Sequence, residues 1–203
     1  MNWFERMSWR RRGVWLAAIG VVAWAAIGAL PEKEIALVMG EPWEDMRQRS
    51  SAKIGPAIAG HHWFSIPRSD ARLRLIDPQY GFVTPQARFF TINFNSDERA
   101  TGVRMSPQVE PLLLDDTLKV ILDLQAQWHQ GGWTVTRPDF PAIADTPQWR
   151  AQLRNVRRGG TTYWQAGDQY QVMLVVHRFE DDRHPTQERY LITLGLGRPW
   201  VKP

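Results

Sequence analysis

Two short stretches of this 203-residue chain combine side chains that could bind a metal ion or a protein partner. One is a histidine–aromatic tetrapeptide and the other is a charged cluster. Imidazole nitrogens are common zinc ligands, carboxylate oxygens suit calcium, and loops on a rigid scaffold carry protein recognition. We predict that both stretches are partner-binding surfaces. Their candidate residues are His61, His62, Trp63, Phe64, Glu180, Asp181, Asp182 and His184.

The spacing within both stretches is poor for a metal site. Adjacent histidines on an extended segment point to opposite sides, so His61 and His62 cannot bind one metal ion without a bend. The cluster at 180–184 lacks the turn glycine of a calcium loop, which also needs about six to eight oxygen ligands. We therefore predict no metal site and no cofactor.

The sequence also contains no nucleophile elbow, phosphate-binding loop, dinucleotide-binding turn or zinc-protease motif. Cysteine is absent, which excludes disulfides, thiolate metal sites and cysteine nucleophiles. A catalytic site could still be assembled from distant parts of the chain. The alternative function is thus a small envelope-acting hydrolase with a spatially assembled site. In it, an acid such as Asp77, Asp97 or Asp168 would meet a histidine.

An apolar segment near the N-terminus predicts on which side of a membrane these two stretches lie. Residues 13–30 are eighteen positions without a charge, an amide or a hydroxyl. A helix of this length rises about 27 Å, close to the roughly 30 Å hydrocarbon core of a bilayer. Residues 1–12 hold four arginines, which place the N-terminus in the cytoplasm by the positive-inside rule. These arginines also account for most of the net charge of +4, so nucleic-acid binding is not expected.

These observations predict a single-pass protein of the inner (cytoplasmic) membrane. Its parts are a cytoplasmic basic N-terminus at 1–12, a transmembrane signal-anchor helix at 13–30, a juxtamembrane linker at 31–60 and an extracytoplasmic α+β domain at 61–203. Two other interpretations of 13–30 stay open. A cleaved signal peptide normally has a shorter apolar region, and a buried globular helix is seldom apolar all round.

The remaining chain alternates between strand and helix patterns. Strands are predicted at 72–76, 80–84, 88–95, 101–106, 133–137, 161–166, 169–179 and 189–196, where β-branched, aromatic and alternating residues concentrate. The short connections favour antiparallel pairing, since parallel strands need a long crossover. The fold class is therefore α+β, with an N-terminal transmembrane helix followed by an antiparallel sheet that two helices cover on one face.

The two covering helices carry distinct signals. The first is predicted from about residue 111 to 130, before the stop Gly131-Gly132. The second begins after Thr146 as N-cap, with Pro147 at its first position. A further short helix is expected between Pro42 and about Ser51. The predicted core-facing stripe of the first helix consists of Leu114, Leu118, Ile121, Leu122, Gln125 and Trp128.

Together these features predict a membrane-anchored extracytoplasmic (periplasmic) domain that binds a protein partner. Its role would be that of an accessory or immunity-type protein without its own catalysis. An anchor and one α+β domain do not determine a function. The predicted protein-binding function therefore rests on the membrane topology and on the two candidate stretches.

The topology is testable with reporter fusions. A reporter active only outside the cytoplasm should be active when fused after residue 203 and inactive when fused within residues 1–12. Moving Arg10, Arg11 and Arg12 beyond residue 30 should weaken or invert this pattern, because flanking cations set orientation. The mature mass provides the control. A chain that starts near residue 30 would show a cleaved signal peptide instead of an anchor.

Overall fold

The computed structural model of the protein describes residues 32–180 and 182–201. The predicted basic N-terminus and the predicted transmembrane helix at 13–30 lie outside the described residues. Among the helices within the described ranges, none is both long enough and apolar enough to cross a membrane. The folded unit begins at Lys33.

An α+β domain with a seven-strand antiparallel sheet and three helices forms this unit. The order of strands in the large sheet is β2-β5-β6-β10-β9-β8-β7, and every neighbouring pair is antiparallel. The predicted α+β class and antiparallel sheet are confirmed. The strands are β2 (Trp63–Ser65), β5 (Phe90–Phe94), β6 (Ala100–Met105), β7 (Thr134–Val135), β8 (Gly160–Ala166), β9 (Tyr170–Phe179) and β10 (Arg189–Gly197).

A second, three-stranded sheet was not predicted. It contains β1 (Glu34–Leu37), β3 (Arg72–Leu75) and β4 (Phe82–Val83), with β1 and β3 parallel. Helix α1 (Trp43–Arg49), where the short helix was expected, lies on the crossover between the parallel strands. The range 31–60 is therefore not simply a linker. Most of it belongs to the folded unit, because β1 and α1 bury apolar side chains such as Ile35, Leu37 and Met46.

Side chains from the end of α1 cover the open edge of β1. The backbone N–H groups of Glu34 and Ala36 donate to the hydroxyls of Ser51 and Ser50 at 2.9 and 3.0 Å. The Arg49 guanidinium donates to the Ala36 carbonyl, and its Nη2 also pairs with both carboxylate oxygens of Glu41. An uncovered edge would offer these backbone groups to another chain, so the contacts both complete the sheet and protect it.

The other two helices pack against the sheets. Helix α2 (Leu114–Gln130) contacts β10 and β4, and α3 (Pro147–Arg154) contacts β8 and β9. The sequence-based start of α3 is confirmed, since the Thr146 hydroxyl accepts from the Trp149 N–H at 3.3 Å and Pro147 is the first helical residue. In α2 the predicted stripe is wrong at one position. Leu122 is 36% exposed, while Leu124 is fully buried.

This correction yields a matched pair of substitutions in α2. Ile121→Asp should abolish cooperative unfolding, because Ile121 is fully buried and an unpaired carboxylate there costs several kcal/mol. Leu122→Asp should lower the free energy of unfolding by about 1 kcal/mol or less, since its side chain reaches solvent. Urea denaturation followed by tryptophan fluorescence measures both. Equal effects of the two substitutions would show that the helix has a different rotation.

Candidate functional site

The first predicted stretch lies at one edge of the seven-strand sheet. His61 and His62 are exposed and immediately precede the edge strand β2. Within β2 the side chains alternate. Trp63 points inward and stacks on Phe94 with ring centroids 4.3 Å apart, whereas Phe64 is 62% exposed on the opposite face. Trp63 is thus part of the core, and only the other three residues are available to a partner.

The second predicted stretch lies in the hairpin loop between β9 and β10. Glu180, Asp182 and His184 are exposed there, and Asp181 lies outside the described residues. The adjacent Arg183 donates to Glu110 at 2.8 Å, which ties the loop to the segment before α2. Among the described residues, no cation pairs with the carboxylates of Glu180 or Asp182. These acids are free to meet a basic group of another molecule.

The structure does not bring the two stretches together. Through the strand register, Phe64 lies in one row with Asn93, Gly102 and Gly197. The hairpin loop begins beyond Arg189, eight positions along β10 from Gly197, which corresponds to about 26 Å. The two candidate surfaces therefore lie at opposite ends of the sheet and cannot form one continuous site.

A polar cleft of about 830 Å³ opens at the Gly197 end of the sheet. Its walls come from three turns that are distant in sequence and from the segment after β10. They bring together Arg99 of the β5–β6 turn, Asp168 of the β8–β9 turn and Arg198. No local sequence pattern points to this cleft, because its charged residues are separated by up to 99 positions.

Only some of the charged groups in the cleft have a hydrogen-bond or ion-pair partner among the described residues. Arg99 donates from Nη1 to the Gly40 carbonyl at 2.9 Å, which fixes its side chain along the wall. Within residues 32–180 and 182–201, no side chain forms an ion pair with Arg198 or Asp168. A ligand with a carboxylate or phosphate would suit the two arginines, and a cationic group would suit Asp168.

Tyr170 connects the cleft wall to a turn of the small sheet. Its hydroxyl donates to Oδ2 of Asp77 at 3.0 Å, while Oδ1 accepts from the N–H groups of Gln79 and Tyr80. Partial burial alone would raise the pKa of Asp77, but these hydrogen bonds outweigh it and leave that pKa below its ordinary value. Burial, followed by the bond to Asp77, raises the pKa of Tyr170 to about 12.

The acids considered for a hydrolase differ in their surroundings. Asp77 uses both carboxylate oxygens to hold the turn and Tyr170. Asp97 is exposed in the β5–β6 turn, and Asp168 lines the cleft, whose lining residues include no histidine. Within the part of the chain that the structure describes, no three His, Asp or Glu side chains are grouped so as to hold a metal ion.

Comparison of the chain with protein-family models, with curated proteins and with solved structures finds no match.

The contact between Tyr170 and Asp77 predicts a measurable titration. A tyrosine whose pKa is raised from about 10 to about 12 on folding contributes stability that is complete below pH 10. This contribution is lost as the pH rises through 12. Tyr170→Phe should therefore remove one late step from the tyrosinate absorbance titration at high pH. It should also lower the free energy of unfolding at pH 7 by about 1 kcal/mol.

Two variants serve as controls for this titration. Tyr190→Phe should remove the other late step, because burial and Glu188 raise the pKa of Tyr190 to about 12 as well. Asp77→Asn should move the pKa of Tyr170 back toward 10, since the neighbouring charge is removed. An unchanged titration above pH 11 in Tyr170→Phe would show that Tyr170 does not make this contact in solution.

Proposed function

We propose that this chain is a single-pass, membrane-anchored extracytoplasmic (periplasmic) protein-binding domain of the accessory or immunity type, without its own catalysis. The apolar range 13–30 would be its transmembrane helix, with the arginines of 1–12 in the cytoplasm. The α+β domain that begins at Lys33 would then lie outside the cytoplasm, with α2 and α3 covering one face of its large sheet.

The acidic hairpin between β9 and β10 is the observation that carries this proposal. The two strands pair without interruption from Gly197 and Gln171 to Arg189 and Phe179, so the loop stands on a rigid base. Glu180 and Asp182 are exposed at its tip, and among the described residues no cation neutralises them. Rigid strands that present free charges favour recognition of a partner surface rich in lysine and arginine.

The rival proposal is a small envelope-acting hydrolase. The polar cleft supports it, since Asp168, Tyr170 and Arg198 line one cavity large enough for a small ligand. Asp168 would be its acid. Conversion of Asp168 to Asn should abolish an activity of this kind but should leave protein capture through the hairpin unchanged.

Charge reversal at the hairpin tests the protein-binding proposal. Glu180, Asp181 and Asp182 are all replaced by Lys in the full chain. Folding should be unaffected, because Glu180 and Asp182 are exposed and have little packing to lose. The affinity for a partner identified by mass spectrometry on the wild-type chain should fall about tenfold, as expected for several exposed charge pairs. Wild-type binding should also weaken as salt rises.

A matched variant separates this effect from net charge. Asp97, Asp116 and Asp139 are exposed acids outside the hairpin, and their replacement by Lys makes the same change in total charge. Capture should stay at the wild-type level in this control. Equal losses in both triple variants, or no loss in either, would refute recognition through the hairpin.

A further inference from the structure

The range 52–69, which we call the cationic loop, differs in composition from the rest of the domain. It contains Lys53, Arg68 and two histidines but no aspartate or glutamate. The Arg68 N–H donates to the Lys53 carbonyl at 2.9 Å and closes the loop at its base. At the other end, the Gly60 N–H donates to the Ser96 carbonyl at 3.2 Å and holds the tip against the β5–β6 turn.

Apolar side chains of the cationic loop divide into an inward and an outward set. Ile54 and Trp63 are buried in the core. In contrast, Ile58, Phe64 and Ile66 are 52%, 62% and 51% exposed. Three large exposed apolar side chains within nine residues form the kind of surface that contacts another apolar phase, because water solvates them poorly.

Unpaired cations occur at the base of the cationic loop and on a nearby strand. Lys53 and Arg68 are exposed at the base of the loop, and Arg104 is exposed on β6, opposite Thr91 of the strand next to β2. Among the described residues, no carboxylate pairs with any of these three cations. Nearby Arg88 differs, because it forms ion pairs with Asp70 and Glu110. The surface therefore combines exposed apolar groups with three unpaired cations, and Asp97, beside the tip, is the exposed carboxylate next to it.

We propose that the cationic loop lies on the headgroup region of an anionic lipid bilayer. Ile58, Phe64 and Ile66 would enter the interface between headgroups and acyl chains, while Lys53 and Arg68 would contact lipid phosphates. This inference rests on the proposed function in one respect, since the anchor would bring the domain to a bilayer. Only about twenty residues separate the end of the predicted span at residue 30 from Lys53.

The absence of cysteine from the sequence permits a direct test with a single fluorescent label. His62→Cys in the full chain places an environment-sensitive fluorophore beside Phe64, and Asp182→Cys places it in the hairpin loop. Both proteins are reconstituted into nanodiscs of phosphatidylcholine, with or without phosphatidylglycerol. Lipids with a quencher near the headgroup should quench the label at 62 in anionic nanodiscs and much less in neutral ones. The label at 182 should stay unquenched in both.

Charge variants identify the cause of any quenching. Each cation near an anionic surface changes the ratio of bound to free loop by about fivefold. Lys53→Glu combined with Arg68→Glu should therefore lower this ratio by roughly twentyfold or more, so that quenching at 62 falls to the level seen at 182. The matched control is Arg157→Glu with Arg158→Glu, two exposed arginines elsewhere, which should leave quenching unchanged.

Three outcomes would overturn the proposal: an unquenched label at 62 in both lipids, equal quenching in both, or full quenching of the Lys53/Arg68 variant. The first would reassign the surface to a protein partner.

The anchor is tested separately. The chain is reconstituted into vesicles of the same lipids, and the vesicles are extracted with alkaline carbonate. Release of the chain by carbonate would refute the proposed transmembrane helix at 13–30. In that case the loop proposal is still tested, because the label at 62 can be measured after the chain is added to preformed vesicles.

Discussion

A cluster of six aromatic rings joins the small sheet, the large sheet and helix α2. Phe82 of β4 meets Trp128 of α2 and Trp133 at centroid distances of 5.7 and 5.9 Å. Trp128 continues to Trp164 of β8 at 5.7 Å, and Tyr170 of β9 stacks on Trp133 at 6.3 Å. Aromatic rings bury large areas in preferred geometries, so this cluster fixes how the two sheets sit against each other. Tyr80 completes it by edge contacts with Trp133 and Tyr170.

The position of the polar cleft depends on this junction. Tyr170 belongs to the aromatic cluster and also lines the cleft, where its hydroxyl binds Asp77. Asp77 in turn holds the turn before β4 through two backbone N–H groups. A shift of the small sheet would thus move the cleft wall as well, because one side chain belongs to both.

Local signals in the sequence were sufficient for the helices and for most strands. Thr146 and Pro147 specify the start of α3 through a cap and a fixed φ, and both effects act within one turn. The second sheet had no such signal, because β1 is four residues long and pairs with β3 across 38 positions. The rotation of α2 was predicted correctly from five of the six stripe residues, which are buried, but one edge of the stripe was misplaced. Leu122 and Leu124 are equivalent in hydrophobicity, and only packing against the sheets decides which is buried.

The candidate sites likewise depend partly on local sequence signals and partly on tertiary pairing. Alternation along an extended segment predicts that Trp63 and Phe64 face opposite sides, as they do, but which side faces the core depends on the pairing of β2 with β5. The cleft was not predictable, since Arg99 and Arg198 approach it through separate turns.

The separation of charge along the large sheet connects the two proposals. The tip of the cationic loop lies at one end, where Gly60 is held by the β5–β6 turn, and the acidic hairpin lies at the other. The base of the loop lies between them, since Asp70 pairs with Arg88 and Glu110 pairs with both Arg88 and Arg183 of the hairpin. A bilayer that attracts Lys53 and Arg68 repels Glu180 and Asp182, because its phosphates carry the same sign as these carboxylates. Attraction of the cations and repulsion of the carboxylates would both turn the domain in the same direction. Glu180 and Asp182 would then be turned away from the headgroups, where a basic partner could reach them without competing with the lipid phosphates.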